Sequence, residues 1–88
     1  MYRILISKTF QKQFHSLSIG EHQRIRHGLT TLGEDPYTPR SGADIKPIQQ
    51  TIPKKYRLRI GEFRIIYTIE KDNVMIIEVF RREQGYSL

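Results

Sequence analysis

The chain has 88 residues, room for one domain with a thin core, since a domain of this size buries only about two-thirds of the surface its unfolded chain exposes. Lys and Arg number 15 against 9 Asp and Glu, a formal net charge of +6 with a pI near 9.9, and a field of that sign on so small a body suits polyanionic partners. The absence of cysteine excludes disulfides and thiolate metal sites. No apolar run follows Met1-Tyr2-Arg3 or approaches the roughly 18 residues of a membrane span, so a soluble, cytoplasmic protein with no membrane role is expected.

Tyr2 to Ile6 reads as a short strand. Ser7 can cap a helix starting near Lys8, in which Phe10, Phe14 and Leu17 form one apolar stripe. Ser18 and Glu21 have capping-box spacing for a second helix that carries Ile25, Leu29 and Leu32 and meets a suitable stop at Gly33. Helices joined this tightly form an antiparallel hairpin. Pro36, Pro39 and Gly42 mark a loop, and Pro47 limits Ile45 to Ile48 to a short or edge strand. Tyr56 to Ile60, Phe63 to Glu70 and Val74 to Arg82 are then three strands joined by tight turns. The order predicts an α+β domain spanning residues 1–88: an N-terminal strand, an αα-hairpin, then a three- to four-stranded antiparallel meander with both helices on one face of the sheet.

The other face stays open, and side-chain alternation says what it carries. In Tyr56-Arg57-Leu58-Arg59-Ile60 the arginines face away from the core. Gly61-Glu62 suits a two-residue type II′ turn, which sets Arg59 directly opposite Arg64. Like charges so placed destabilise a sheet, so an anion is expected between them. Read as a three-residue turn with Asn73 left-handed, Lys71-Asp72-Asn73 sends Met75, Ile77 and Val79 to the helix side and Ile76, Glu78, Phe80 and Arg82 to the open side. The open face then carries Arg57, Arg59, Arg64 and Arg82, with Glu78 the one acid, Lys54, Lys55 and Arg81 on the border, and Tyr86 on a short tail. Guanidinium forks match phosphate geometry and a flanking tyrosine can stack on an unpaired base, so a single-stranded nucleic acid fits this face.

The segment Asp44 to Glu70, with YRLRIGEFRIIY (Tyr56 to Tyr67) at its centre and VFRREQGY (Val79 to Tyr86) after it, resembles the toxins of the RelE/ParE superfamily over nearly the whole chain. For RelE-type members the resemblance implies a ribosome-dependent mRNA endoribonuclease in which the 2′-hydroxyl attacks the adjacent phosphate and the 5′-oxygen leaves. By position Arg57 and Arg59 stand where that family usually carries lysines. Arg64, Arg82 and Tyr86 match two further arginines and the base-stacking tyrosine. Arginine keeps its proton at neutral pH, so catalysis would rest on positioning and electrostatics, with Lys54, Lys55 and Arg81 binding RNA. Glu78 is expected in a salt bridge with an arginine, or as an auxiliary acid or base.

The resemblance also implies a partner: an acidic, partly disordered RelB-like antitoxin that masks the basic face in a hetero-oligomer, with mRNA on the ribosome as target. The alternatives are a ParE-type toxin that binds DNA gyrase, and a decayed toxin that only binds its antitoxin. His15, His22 and His27 are expected on helix surfaces away from the arginines, and nothing in the sequence asks for a metal or cofactor.

Overall fold

The computed structural model describes residues 1–84. In chain order these are β1 (Arg3–Ile6), α1 (Lys8–His15), α2 (Ile19–Glu34), β2 (Asp44–Ile48), β3 (Lys55–Ile60), β4 (Phe63–Glu70) and β5 (Asn73–Arg81), followed by a 3₁₀ turn (Arg82–Gln84). The strands form one sheet in the order β1-β5-β4-β3-β2. β2 to β5 are the expected antiparallel meander, and β1 adds a fifth strand parallel to β5.

Both helices begin as their caps dictate. The Ser7 hydroxyl accepts from Phe10 N at 3.0 Å. At α2 the box is complete, with Ser18 N donating to Glu21 Oε1 at 2.9 Å and Glu21 N to Ser18 Oγ at 3.2 Å. The end of α2 differs from the reading. Gly33 lies within the last turn, buried against Ile4 and Tyr2, and the helix stops only after Glu34. The cause is Pro36, whose ring excludes the helical region for the residue before it, and Asp35 is extended at φ −160°.

Phe10, Ile25 and Leu32 of the helices meet Leu58, Phe63, Ile65, Tyr67, Val74, Ile76 and Val79 in one buried cluster. Burial of this apolar surface is the main stabilising term, at about 25 cal/mol per Å². The buried Tyr67 hydroxyl donates to Pro36 O at 2.7 Å, tying the post-helix loop to the core. His22 is half-buried rather than on the surface. Its ring stacks on Phe14 at 4.2 Å between centroids, and its Nε2 is hydrogen-bonded to Phe14 O at 2.6 Å.

The two tight hairpins, β3–β4 and β4–β5, differ in how they match the sequence reading. Gly61 has φ +55° and Glu62 does not share the left-handed region, as a type II′ turn requires, and the pairs Ile60–Phe63, Leu58–Ile65 and Arg59–Arg64 form as read. Between β4 and β5 the turn is Lys71-Asp72, two residues long. Lys71, at φ +56°, takes the left-handed position expected of Asn73. Val74 and Ile76 therefore enter the core and Met75 turns to the open side, the reverse of the three-residue reading. A bulge restores the later phase. Glu78 pairs with Ile66 and Ile76 with Tyr67, so Ile77 is the extra residue. Beyond it Val79 is core, and Glu78 and Phe80 lie on the open face, as expected.

Candidate nucleic-acid interface

Cross-strand pairing assembles the open face in rows. One row runs Lys46, Arg57, Ile66 and Glu78 across β2 to β5, and the next runs Asp44, Arg59, Arg64 and Phe80. Ile66, between Arg57 and Glu78 in the first row, is only 2% exposed although it is no part of the main core. Burial comes first among the effects that pull the Arg64 guanidinium below its ordinary pKa, followed by the charges of Arg59, Arg57 and Arg82. Arg59, Arg57 and Arg82 thus act on Arg64, with Asp44 opposing them in part.

Neutralisation within the face is slight. Arg57 reaches Asp44 at 3.4 Å. Arg64 donates to its own neighbour's carbonyl, Phe63 O, at 3.3 Å. Among the described residues Arg59, Arg64 and Arg82 have no ion-pair partner, and neither has Glu78, which is only 9% exposed. The expected Glu78–arginine salt bridge is therefore not formed there; Ile66 stands between Glu78 and Arg57.

Three expectations about position are revised. Arg82 lies just past β5, in the first position of the 3₁₀ turn, with its N–H donating to Glu62 O at 2.7 Å. Arg81 turns to the helix side, because it pairs with Phe63, a core residue. There it stacks over the Phe63 ring at 4.8 Å and binds Glu21 Oε2 at 2.6 Å, with Glu62 at 3.8 Å. The hydrogen bond from Arg81 and the Ser18 cap hold the Glu21 carboxyl below its usual range, the backbone bond from Ser18 contributing most. Lys54 is exposed before β3, and only Lys55 joins the face, opposite Thr68. Tyr86 lies outside the described residues.

Lys46 and Asp44 join this face although the sequence reading did not place them there. Asp44-Ile45-Lys46 does alternate around a buried Ile45, but Pro47 marks the segment only as a short edge strand. Among the described residues no three His, Asp or Glu side chains gather as metal ligands, and no helix is long and apolar enough to cross a membrane.

Two helices on one face of a mixed five-stranded sheet, with the bare face arginine-rich, define a small basic α+β fold of known type. The same fold is found in the RelE–RelB complex of Pyrococcus horikoshii OT3, with a TM-score of 0.80 and 26% identity over 96% of this chain and 98% of that one. It recurs in the isolated Escherichia coli RelE toxin, with a TM-score of 0.75 and 17% identity over 97% and 88%. In sequence the chain is 30% identical to a Methanocaldococcus jannaschii protein carrying the name toxin RelE1, over 97% of this chain and 94% of the relative. Residues 4–86 match the family described as the ParE toxin of type II toxin–antitoxin system, parDE. The chain belongs to this family, within the RelE/ParE superfamily, and is a RelE-like toxin of the type II toxin–antitoxin class.

Proposed function

We propose that the toxin is an mRNA endoribonuclease acting in the cytoplasm on ribosome-bound messenger, and that its open face is the cleavage site. The observation that supports this reading best is the excess of positive charge around Arg64: three further arginines act on it, and among the described residues the one ion pair in the group is Arg57–Asp44. An opposed arginine pair costs of the order of 1 kcal/mol in a sheet. A charge-assisted hydrogen bond to phosphate returns about 1.5–3 kcal/mol, so one bound phosphodiester outweighs the repulsion.

In this mechanism Arg64 and Arg82 hold the non-bridging phosphate oxygens, and Arg57 and Arg59 orient the strand. The 2′-oxygen attacks phosphorus and the bond to the 5′-oxygen breaks, leaving a 2′,3′-cyclic phosphate. The 5′-oxygen takes its proton from water. The guanidinium groups stabilise the charge that grows on the phosphoryl oxygens and do not move protons, since arginine stays charged. Glu78, on the same face of the sheet and without an ion-pair partner among the described residues, accepts the 2′-proton. Lys54 and Lys55 add charge along the approach of the RNA, and Tyr86 stacks on the base at the cut. Arg81 is left out of the RNA contacts.

The partner follows from the same charge. An acidic antitoxin laid over the arginine face would neutralise it until released, and the P. horikoshii relative was crystallised as a RelE–RelB complex. Primer extension on ribosome-bound mRNA after induction tests the function: cuts within codons support it. The match to a family named for ParE favours a second reading, inhibition of DNA gyrase by binding. An SOS response with intact mRNA would establish that reading in place of the nuclease.

A further inference from the structure

Where β2 begins and β3 ends, a cationic hollow of about 280 Å³ adjoins the arginine face. Arg24, His27, Arg40, Asp44, Arg59 and Ile60 form its walls. Local geometry explains how they meet. Arg24, His27 and Gly28 stand at i, i+3 and i+4 on α2 and so share one side of the helix. Gly28 lets that side settle on β3, because a Cβ there would overlap Ile60 Cδ1. Arg24 is thereby carried over the β3–β4 turn, its Nη1 3.7 Å from where a Cβ on Gly61 would sit and its guanidinium 5.8 Å from the Phe63 ring centroid.

The charges in this hollow are only partly compensated. Arg40 donates to the carbonyls of Thr31, Asp35 and Thr38, which fixes its position, and the Asp35 carboxylate is near enough to offset part of its charge. Asp44, the one acid in the walls, is engaged by Arg57. Arg24, His27 and Arg59 have no carboxylate partner among the described residues. Arg59 belongs to both sites: it faces Arg64 across the sheet and lines the hollow at the sheet's end.

We infer that this hollow is a second phosphate-binding station, in which Arg24 and His27 hold a phosphodiester flanking the one at Arg64. The RNA strand crosses the open face, passes Arg59 and continues around the start of β2 onto α2. This rests on the ribonuclease reading of the open face. A nucleic acid is the occupant that fits the ribonuclease reading of the adjoining face, to which the hollow is joined by a shared arginine. Cleavage would then depend on RNA beyond the nucleotides at the cut.

Binding of the purified full chain to fluorescent single-stranded RNAs tests this, using oligonucleotides of about four and about twelve nucleotides, within the range one such groove accommodates. Each is made with 2′-O-methyl groups so that it is not cut. The wild type should bind the longer RNA more tightly and with a steeper salt dependence. Arg24→Gln should bind the short RNA as the wild type does and the long one about fivefold more weakly at about 0.1 M salt, its salt slope shallower by about 0.7, the value of one phosphate contact on a single strand. His27→Asn should weaken only the long RNA and leave the slope unchanged. A double variant that keeps the wild-type gain with length would overturn the inference, as would one that instead loses affinity for a polyglutamate peptide. If Arg64→Ala loses the short RNA while the double variant behaves as wild type, the open face stands and the hollow falls. If the wild type binds neither RNA, both fall.

Discussion

Arg64 and Arg81 lie at the same end of the β4–β5 ladder, on opposite faces of one sheet, and their surroundings could hardly differ more. Arg81 has Glu21 at 2.6 Å, Glu62 at 3.8 Å and the Phe63 ring beneath it, and the hydrogen bond to Glu21 holds its guanidinium above the ordinary value. Arg64 has Arg59 opposite it and Arg57 and Arg82 near, and its guanidinium is held below. One charge is satisfied within the fold, and the other is kept unsatisfied at some cost in stability. A folded chain tolerates that cost where a ligand relieves it, which supports the proposal that Arg64 faces a substrate, whereas Arg81 is held within the fold.

The sharpest way to break this contrast is to remove each arginine in turn. Arg64→Ala should reduce cleavage by about 10²–10³-fold, the scale of losing one preorganised group that stabilises developing charge. Its thermal midpoint should stay level or rise, because a repelling charge is removed. Arg81→Ala should do the opposite, lowering the midpoint while cleavage of ribosome-bound mRNA persists. Exchange of these two outcomes would reverse the assignment of the faces. Glu78→Gln should follow Arg64→Ala in size, with cleavage falling about 10²-fold through loss of the proton acceptor. RNA affinity, measured by anisotropy, should not weaken in that variant, since a negative charge is removed. Unchanged cleavage would discharge Glu78 from the mechanism.

How far the sequence disclosed these faces depended on where the chain's phase was anchored. The β3–β4 hairpin has a glycine at the one left-handed position of its turn, so its register and the Arg59–Arg64 opposition were legible in advance. The β4–β5 hairpin puts a lysine in that position and corrects its phase with a bulge at Ile77, and neither leaves a residue-type signature. The charge of Glu78 indicated its final side but not the route by which the strand got there. Arg81 was misread for a related reason. In Arg81-Arg82 one arginine ends the strand facing Phe63 and the next begins a 3₁₀ turn, a change of element that charge alone cannot announce. The hollow beside α2 was invisible because it depends on Gly28 bringing residues from two distant segments together.

Smaller effects sharpen the structural side of the comparison. Arg81 works through Glu21, and Glu21 is also half of the α2 capping box, so strand end and helix start share one carboxylate. Ser18→Ala removes the hydroxyl that accepts from Glu21 N and should lower stability by about 1 kcal/mol, as cap losses do. Chemical denaturation would read this, and cleavage should be unaffected.

The shared carboxylate also predicts the weakest of these effects, one of pH. The Ser18 N–H and, after it, Arg81 hold the Glu21 pKa below its ordinary 4.5 in the folded chain. A group lowered on folding stabilises above its unfolded pKa and loses that contribution as pH falls through the folded value. The midpoint should therefore drop on acidification below about 4.5, with Asp35, lowered by bonds from Thr38 and Tyr37, adding to the fall. Glu21→Gln, which cannot titrate, should start lower at neutral pH and fall less steeply, so that the two curves converge in acid. Parallel curves would mean that Glu21 is not coupled to folding, and the account of Arg81 as an arginine held by the fold would lose its main support.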